Sequence, residues 1–238
     1  MKRKVILDFI RRLPCREFLE VGCGGGDLLA LLERLGYRGI GIDISPEAIT
    51  VARGRVKGGA VTAEEKRVEE IGDVFDLAIA SEVLEHCADD VGFLRELRRH
   101  VRPGGWVILT VPAHMDRWGA NDEFSGHLRR YERKELWGTM LHAGLEPVCI
   151  YSYGVPIYNL LKPLYDRAIG RRIVREDSPA DRTAKSSGMW LMTGLKGVFP
   201  VIFNGFTMSP FYLMQKLFYR TDLGNGFFAA ARRAPEKG

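Results

Sequence analysis

Residues 17–26, Glu-Phe-Leu-Glu-Val-Gly-Cys-Gly-Gly-Gly, combine an apolar strand with an acid near its end and a glycine-rich turn. Such a turn lets a ligand lie against bare backbone at the carboxyl end of a strand, where open α/β sheets bind ligands. Gly22 and Gly24 fit the first two positions of a dinucleotide fingerprint, but the third falls on Asp27, whose charge would crowd and repel a pyrophosphate. The pattern therefore predicts a small ligand rather than a dinucleotide or a phosphate. A second carboxylate, Asp43, closes Gly39-Ile40-Gly41-Ile42-Asp43-Ile44. A carboxylate at a strand tip suits a ribose diol, because it accepts from two hydroxyl donors.

The elements that position these residues are legible from periodicity. Leu28, Leu31, Leu32 and Leu35 recur at helical spacing, with Asp27 as the expected cap and Gly36 as the stop. Ser45-Pro46-Glu47 opens another helix, with a cap, an N1 proline and an early acid. Residues 54–72 read as a short strand and a surface connection. Phe75–Ser81 reads as a central strand. A helix begins at Asp89 or Asp90, with Phe93, Leu94, Leu97 and Val101 as its apolar stripe. Arg95, Arg98, Arg99 and Arg102 fall mostly on the opposite face, read as solvated rather than as a nucleic-acid surface. Trp106–Val111 is apolar nearly throughout, as an interior parallel strand should be. Glu132–Ala143 is a helix stopped by Gly144, and Pro147–Tyr153 a sixth strand. Met1–Leu13 is a basic amphipathic helix, expected at the sheet edge; it is too charged and too short in apolar length for a signal peptide.

Taken together, these motifs resemble class I S-adenosylmethionine-dependent methyltransferases, nearest to the small-molecule and quinone-biosynthesis branch. The resemblance rests on Glu20–Gly26, on Asp43, on Ser81-Glu82-Val83-Leu84-Glu85-His86 and on Arg102-Pro103-Gly104-Gly105, and it covers roughly residues 15–153. It implies a Rossmann-like α/β fold: a seven-stranded, mostly parallel sheet with an antiparallel last strand, helices on both faces, and a helical insertion before the last strand. It implies S-adenosyl-L-methionine as cofactor. Gly22, Cys23, Gly24 and Gly26 would hold the methionine part and Glu20 its amino end. Asp43 would take the ribose and Ile44 the adenine face. Ala63 and Glu64 would lie near the adenine amine, and Ser81 and Glu82 would face the cofactor from the fourth strand. Cys23 itself reads as a small packing residue.

The implied organisation is a core over 1–153, a mostly helical insertion over 154–223, and a final strand (Phe227–Arg232) with tail over 224–238. The insertion is basic in its first half, from Lys162 to Lys185, whereas Lys196 is the only charge between Ser186 and Gln215. Three readings stand: a pocket wall for a hydrophobic substrate, a contact with an anionic membrane through 155–214, or a cap that covers the sheet. A homodimer interface is a further use of its apolar half. No run of eighteen apolar residues suggests a spanning helix.

Methyl transfer to a hydroxyl needs a base. The candidates are His127, His86 and His114, with His127 in the lid-like stretch Asp116–Tyr131. Trp118, Phe124, Arg130 and Tyr131 from that stretch are candidate substrate contacts. Arg130 is placed there for an acidic substrate group, and Tyr131 for that or for stacking in the lid hinge. His100 and His142 read as structural or solvent-facing. The four cysteines show neither a zinc pattern nor a disulfide framework, which suits a reducing cytosol, and no metal is expected. The expected activity is methyl transfer to a small hydrophobic or amphipathic acceptor, with oxygen favoured over carbon. The competing readings are a non-catalytic cofactor-binding scaffold and a dinucleotide-dependent oxidoreductase. The net charge of +5 agrees with anionic substrates or membranes without choosing between them.

Overall fold

A computed structural model describes residues 1–156 and 209–235 of the 238. Its centre is a seven-stranded sheet in the order β3-β2-β1-β4-β5-β7-β6. The strands are β1 (Glu17–Val21), β2 (Arg38–Asp43), β3 (Val61–Glu65), β4 (Phe75–Ser81), β5 (Val101–Pro112), β6 (Leu145–Tyr153) and β7 (Gly226–Arg233). The first five pair in parallel, and β7 runs antiparallel between β5 and β6. The expected fold class is the one observed.

Both sheet faces are covered, so adjacent strand residues are buried in opposite directions. In β7, Phe227, Ala229 and Ala231 join one core cluster, while Phe228 and Ala230 join the other. Helices α4 (Asp90–Arg99) and α6 (Arg133–His142) cover the first face through Leu94, Leu97, Leu136 and Met140. Helices α2 (Asp27–Arg34) and α3 (Pro46–Arg55) cover the second through Leu28, Leu29, Leu32 and Ile49.

Several local expectations are corrected. Helix α1 (Lys2–Ile10) lies over the sheet face, not at its edge. Val5, Ile6 and Ile10 are buried, and the Phe9 ring packs 5.2 Å from Phe228 and 5.4 Å from Trp106. Asp27 does not cap α2; it is the first helical residue, the N-cap being Gly26 in a left-handed conformation. Its carboxylate pairs with Arg55 at 2.8 Å. Strand β5 begins at Val101, so Arg102-Pro103-Gly104-Gly105 forms an irregularity inside a strand, between the pairings Phe75–Val101 and Leu77–Trp106. The arginines of α4 and the start of β5 are not a bare solvated face. Arg95 and Arg98 donate to the His142 and Gly144 carbonyls, and Arg102 bridges Glu17 and Asp76 at 2.6 Å each. His100 is buried against Glu96 and the Asp73 carbonyl, and His142 is exposed.

Most of the expected 154–223 insertion lies outside the described residues. Its end is helix α7 (Ser209–Leu217), held by Gln215, whose Oε1 accepts from the Gly154 N–H at 3.0 Å.

Candidate functional site

The strand order reverses between β1 and β4, and the crevice beyond their carboxyl ends is where a doubly wound sheet takes its ligand. Glu20, next to last in β1, is 3% exposed, and its Oε2 has no hydrogen-bond partner among the described residues. Burial, with Asp43 and Asp27 nearby, pushes its carboxyl up to about 8 against the opposing pull of Lys2. After the Gly22 bend, the Gly24 N–H donates to Asp43 Oδ2 at 2.8 Å and the Ser45 N–H to Asp43 Oδ1 at 3.0 Å. A Cβ built on Gly24 would meet nothing within 4 Å.

Ile44 follows at the tip of β2 with 71% of its surface exposed. Ala63 is buried on β3 opposite Gly41, and Glu64 pairs with Lys66 at 2.7 Å. The Cys23 thiol is buried, and desolvation raises its pKa, which disfavours the reactive thiolate.

These residues fit S-adenosylmethionine. An orphaned buried carboxylate matches its ammonium, and open backbone at Gly24 admits its amino-acid chain. Asp43 keeps lone pairs for the ribose hydroxyls, and an exposed isoleucine offers an apolar face to the adenine.

Beside this crevice a cavity of about 290 Å³ is lined by residues that include Lys2, Glu82, Asn121, His127, Tyr153 and Asn225. Glu82 sits at φ +58°, just past β4. Its Oε1 accepts from Thr110 at 3.0 Å and from the Tyr153 hydroxyl at 2.9 Å, with Lys2 Nζ at 3.8 Å. Ser81 Oγ lies 2.9 Å from Thr110 Oγ1, extending this chain of hydroxyls. Burial opposes ionisation of Glu82, but Lys2 and the two hydroxyl donors outweigh it and hold the carboxyl below its usual range. Tyr153 is pushed well up by burial and by that carboxylate, so it stays a donor. Lys2, Thr110 and Tyr153 carry no local motif. Pairing of β6 with β7, and the seat of α1 on the sheet, bring them here.

The expected lid is a strap over this cavity: a 3₁₀ turn (Met115–Arg117) and helix α5 (Ala120–Ser125). Asp122 pins it. Fully buried, it accepts from His127 Nδ1 at 2.8 Å, from Arg130 Nε at 2.8 Å and Nη2 at 2.9 Å, and from the Gly119 N–H at 2.9 Å. Burial opposes the charge on Asp122, but these donors keep its carboxyl below the usual range. The bond at Nδ1 leaves Nε2 as the lone-pair nitrogen of neutral His127.

His86 Nδ1 lies 3.2 Å from the Gly126 carbonyl, and its ring meets that of His127 edge-on at 4.9 Å. Beneath them Glu85 is fully buried; neither carboxylate oxygen makes a hydrogen bond among the described residues, though His127 Nε2 lies 3.9 Å from Oε1, and burial and Glu82 push it well up, toward the neutral acid. Glu85, His86 and His127 offer ligand atoms within 4.8 Å of one another, a grouping the sequence reading, with no metal expected, does not anticipate.

Of the expected substrate contacts, Arg130 lines the cavity although only 3% exposed, and its guanidinium is held by Asp122 and the Ala113 carbonyl, so it also braces the strap. Tyr131 is fully buried, with its hydroxyl on Asp90 at 2.9 Å, and is core rather than hinge surface. His114 turns to Glu132 at 2.8 Å and packs on Phe227, and it is not a wall of the cavity. Trp118 and Phe124 are half-buried on the strap and do not line the cavity either.

A sequence family described as a methyltransferase domain matches residues 2–150. The chain belongs to this family. A ubiquinone biosynthesis O-methyltransferase of Methylobacterium sp. (strain 4-46) is 40% identical over 92 residues, 37% of either chain. That of Aliivibrio fischeri (strain ATCC 700601 / ES114) is 30% identical over 117 residues, 47% of this chain and 50% of the relative. The chain thus spans half or less of the length of these relatives. Among solved structures, phosphoethanolamine N-methyltransferase 2 of Haemonchus contortus superposes with a TM-score of 0.62 at 18% identity, covering 99% of this chain and 52% of the other. At that identity the likeness shows the fold alone.

Proposed function

We propose that this methyltransferase-family chain binds S-adenosylmethionine and methylates a small apolar or amphipathic acceptor, on oxygen. The observation that carries the reading is Glu20: a buried carboxylate with an orphaned oxygen, beside open backbone at Gly24 and the Asp43 tip of β2. The cofactor supplies an electrophilic methyl group on a sulfonium, and the chain supplies alignment, exclusion of water and removal of a proton.

Glu20 holds the ammonium, Asp43 the ribose and Ile44 the adenine. The cavity walled by Tyr153 and Asn121 receives the acceptor. His127 Nε2 takes the acceptor hydroxyl proton while Asp122 stabilises the imidazolium that forms. His86 steadies that ring at its edge. Glu82, its carboxyl held below the usual range and fixed by Thr110 and Tyr153, would favour binding of a cationic sulfonium. The O-methyltransferase relatives support oxygen as the acceptor atom.

The test is calorimetric binding of S-adenosylmethionine and S-adenosylhomocysteine to the wild type and to Asp43→Ala, followed by label transfer to long-chain phenols and catechols. Micromolar binding lost in the variant, with label in the acceptor, is the expected result. Binding of NADH instead sinks the assignment. Cofactor binding without transfer to any acceptor favours a non-catalytic scaffold.

A further inference from the structure

A second concavity lies away from the crevice, between α1, β6 and α7. It is a groove of about 330 Å³ with an aromatic floor and a basic rim. Phe9, Tyr151 and Tyr219 form the floor. The Tyr151 ring stacks on Tyr219 at 4.9 Å and on Phe228 at 5.8 Å, which stiffens the surface from beneath. Arg12, Lys216 and Arg220 stand on the rim against one acid, Asp8, which is engaged by Lys4 and lies 3.9 Å from Lys216.

The outer face of α7 continues this surface. Buried Gln215 fixes which side of the helix faces inward. Leu213 and Leu217, one turn apart on the same stripe, are 69% and 79% exposed. Lys216 flanks that stripe three residues beyond Leu213. In sequence, α7 follows directly on 186–208, where Lys196 is the only charge.

Two leucines held outward, tyrosines at their border and a basic rim match the layers of an anionic bilayer surface: acyl carbon, interface and phosphate. An acidic protein partner would satisfy the cations but leave the leucine stripe unmatched. We propose that this face docks the chain on anionic membranes, with Leu213 and Leu217 entering the acyl boundary and Arg12, Lys216 and Arg220 meeting lipid phosphates. Helix α1 links the two regions: Lys2 lines the acceptor cavity at its start, and Arg12 rims the groove just past its end. The helix between them spans on the order of 15 Å.

The experiment is flotation of the full chain with vesicles of phosphatidylcholine alone and of an equimolar mixture with phosphatidylglycerol. The wild type is expected to bind the mixture and not pure phosphatidylcholine. Leu213→Asp with Leu217→Asp should abolish binding, and Arg12→Glu with Arg220→Glu should weaken it by at least about tenfold. The charge-matched pair Lys57→Glu with Lys134→Glu, outside the groove, should weaken it far less. Melting temperature and S-adenosylhomocysteine binding, followed in every variant, separate loss of this face from loss of the fold or of the cofactor site. Equal binding to both vesicles, no binding to either, or wild-type binding by both groove variants would overturn the proposal. So would saturable binding of monomeric dodecyl phosphate without vesicle binding, which would make the groove a site for a soluble amphiphile.

Discussion

The Gly24 N–H donates to Asp43 Oδ2 at 2.8 Å, so the tip of β2 and the turn after β1 are one unit. The carboxylate proposed to bind the ribose also shapes the backbone proposed to hold the amino acid. Asp43→Asn keeps one acceptor and turns the other into a donor facing an N–H. A hydrogen bond to a charged group is worth about 1.5–3 kcal/mol, so cofactor affinity should fall by about 10- to 100-fold. Calorimetry checks this; unchanged affinity would move the ribose elsewhere.

Two glycines of the turn should respond differently to alanine. At Gly26, φ is +76° and a Cβ would sit 2.8 Å from the Ala52 Cβ and 2.9 Å from its Cα. Gly26→Ala should therefore lose about 1–3 kcal/mol of stability, seen in denaturant melts. Gly24 is also left-handed, at φ +52°, but faces open space. Gly24→Ala should cost about 1 kcal/mol of stability yet weaken S-adenosylhomocysteine binding by more than that strain explains. Equal binding by this variant and the wild type would show that the space is not the cofactor's.

Glu20 predicts a proton signature. Its carboxyl, raised to about 8 by burial, is mostly protonated at neutral pH before ligand arrives. The ammonium group selects the ionised form, so binding should release close to one proton at pH 7. Affinity should tighten from pH 5 to about 8 and then level off. For the unliganded fold the sign is the reverse. A folded pKa raised above the unfolded value stabilises below the unfolded pKa, and that contribution is lost as pH rises toward 8. Glu20→Gln should therefore raise the unliganded melting temperature at pH 8 but not at pH 4, while abolishing proton release. Calorimetry in buffers of different ionisation enthalpy counts the protons. A count near zero at pH 7 would remove Glu20 from ammonium binding.

His127 and Asp122 should separate chemistry from architecture. His127→Gln should lower kcat by about 10²- to 10⁴-fold, as expected for loss of a general base, with cofactor affinity unchanged. Asp122→Asn leaves the buried Arg130 charge without its carboxylate and should cost about 3–5 kcal/mol of stability in addition to activity. Unimpaired turnover by His127→Gln at pH 7 would transfer the base role to another group.

Sequence alone determined the local features. Most of the strand and helix order followed from apolar runs and helical spacing, and the turn at 22–26, the acid at 43 and the Gly36 and Gly144 stops followed from short-range backbone chemistry. The antiparallel place of β7 followed from the family resemblance, since apolar pattern sets a strand but not its neighbours. Tertiary structure alone decided what lies between distant segments. Arg130 and Tyr131 read as available polar groups until Asp122 and Asp90 are found bonded to them inside the protein. Lys2, Thr110 and Tyr153 converge on Glu82 from three elements, and the Glu85 carboxylate, with His127 Nε2 at 3.9 Å, makes no hydrogen bond among the described residues. Burial and pairing of polar side chains depend on how segments pack, whether eight residues apart as for Asp122 and Arg130 or 71 as for Glu82 and Tyr153, and one-dimensional spacing carries no signal for that. The α1 face shows the same limit: periodicity makes it amphipathic, and only packing against Trp106 and Phe228 decides which part of the sheet it covers.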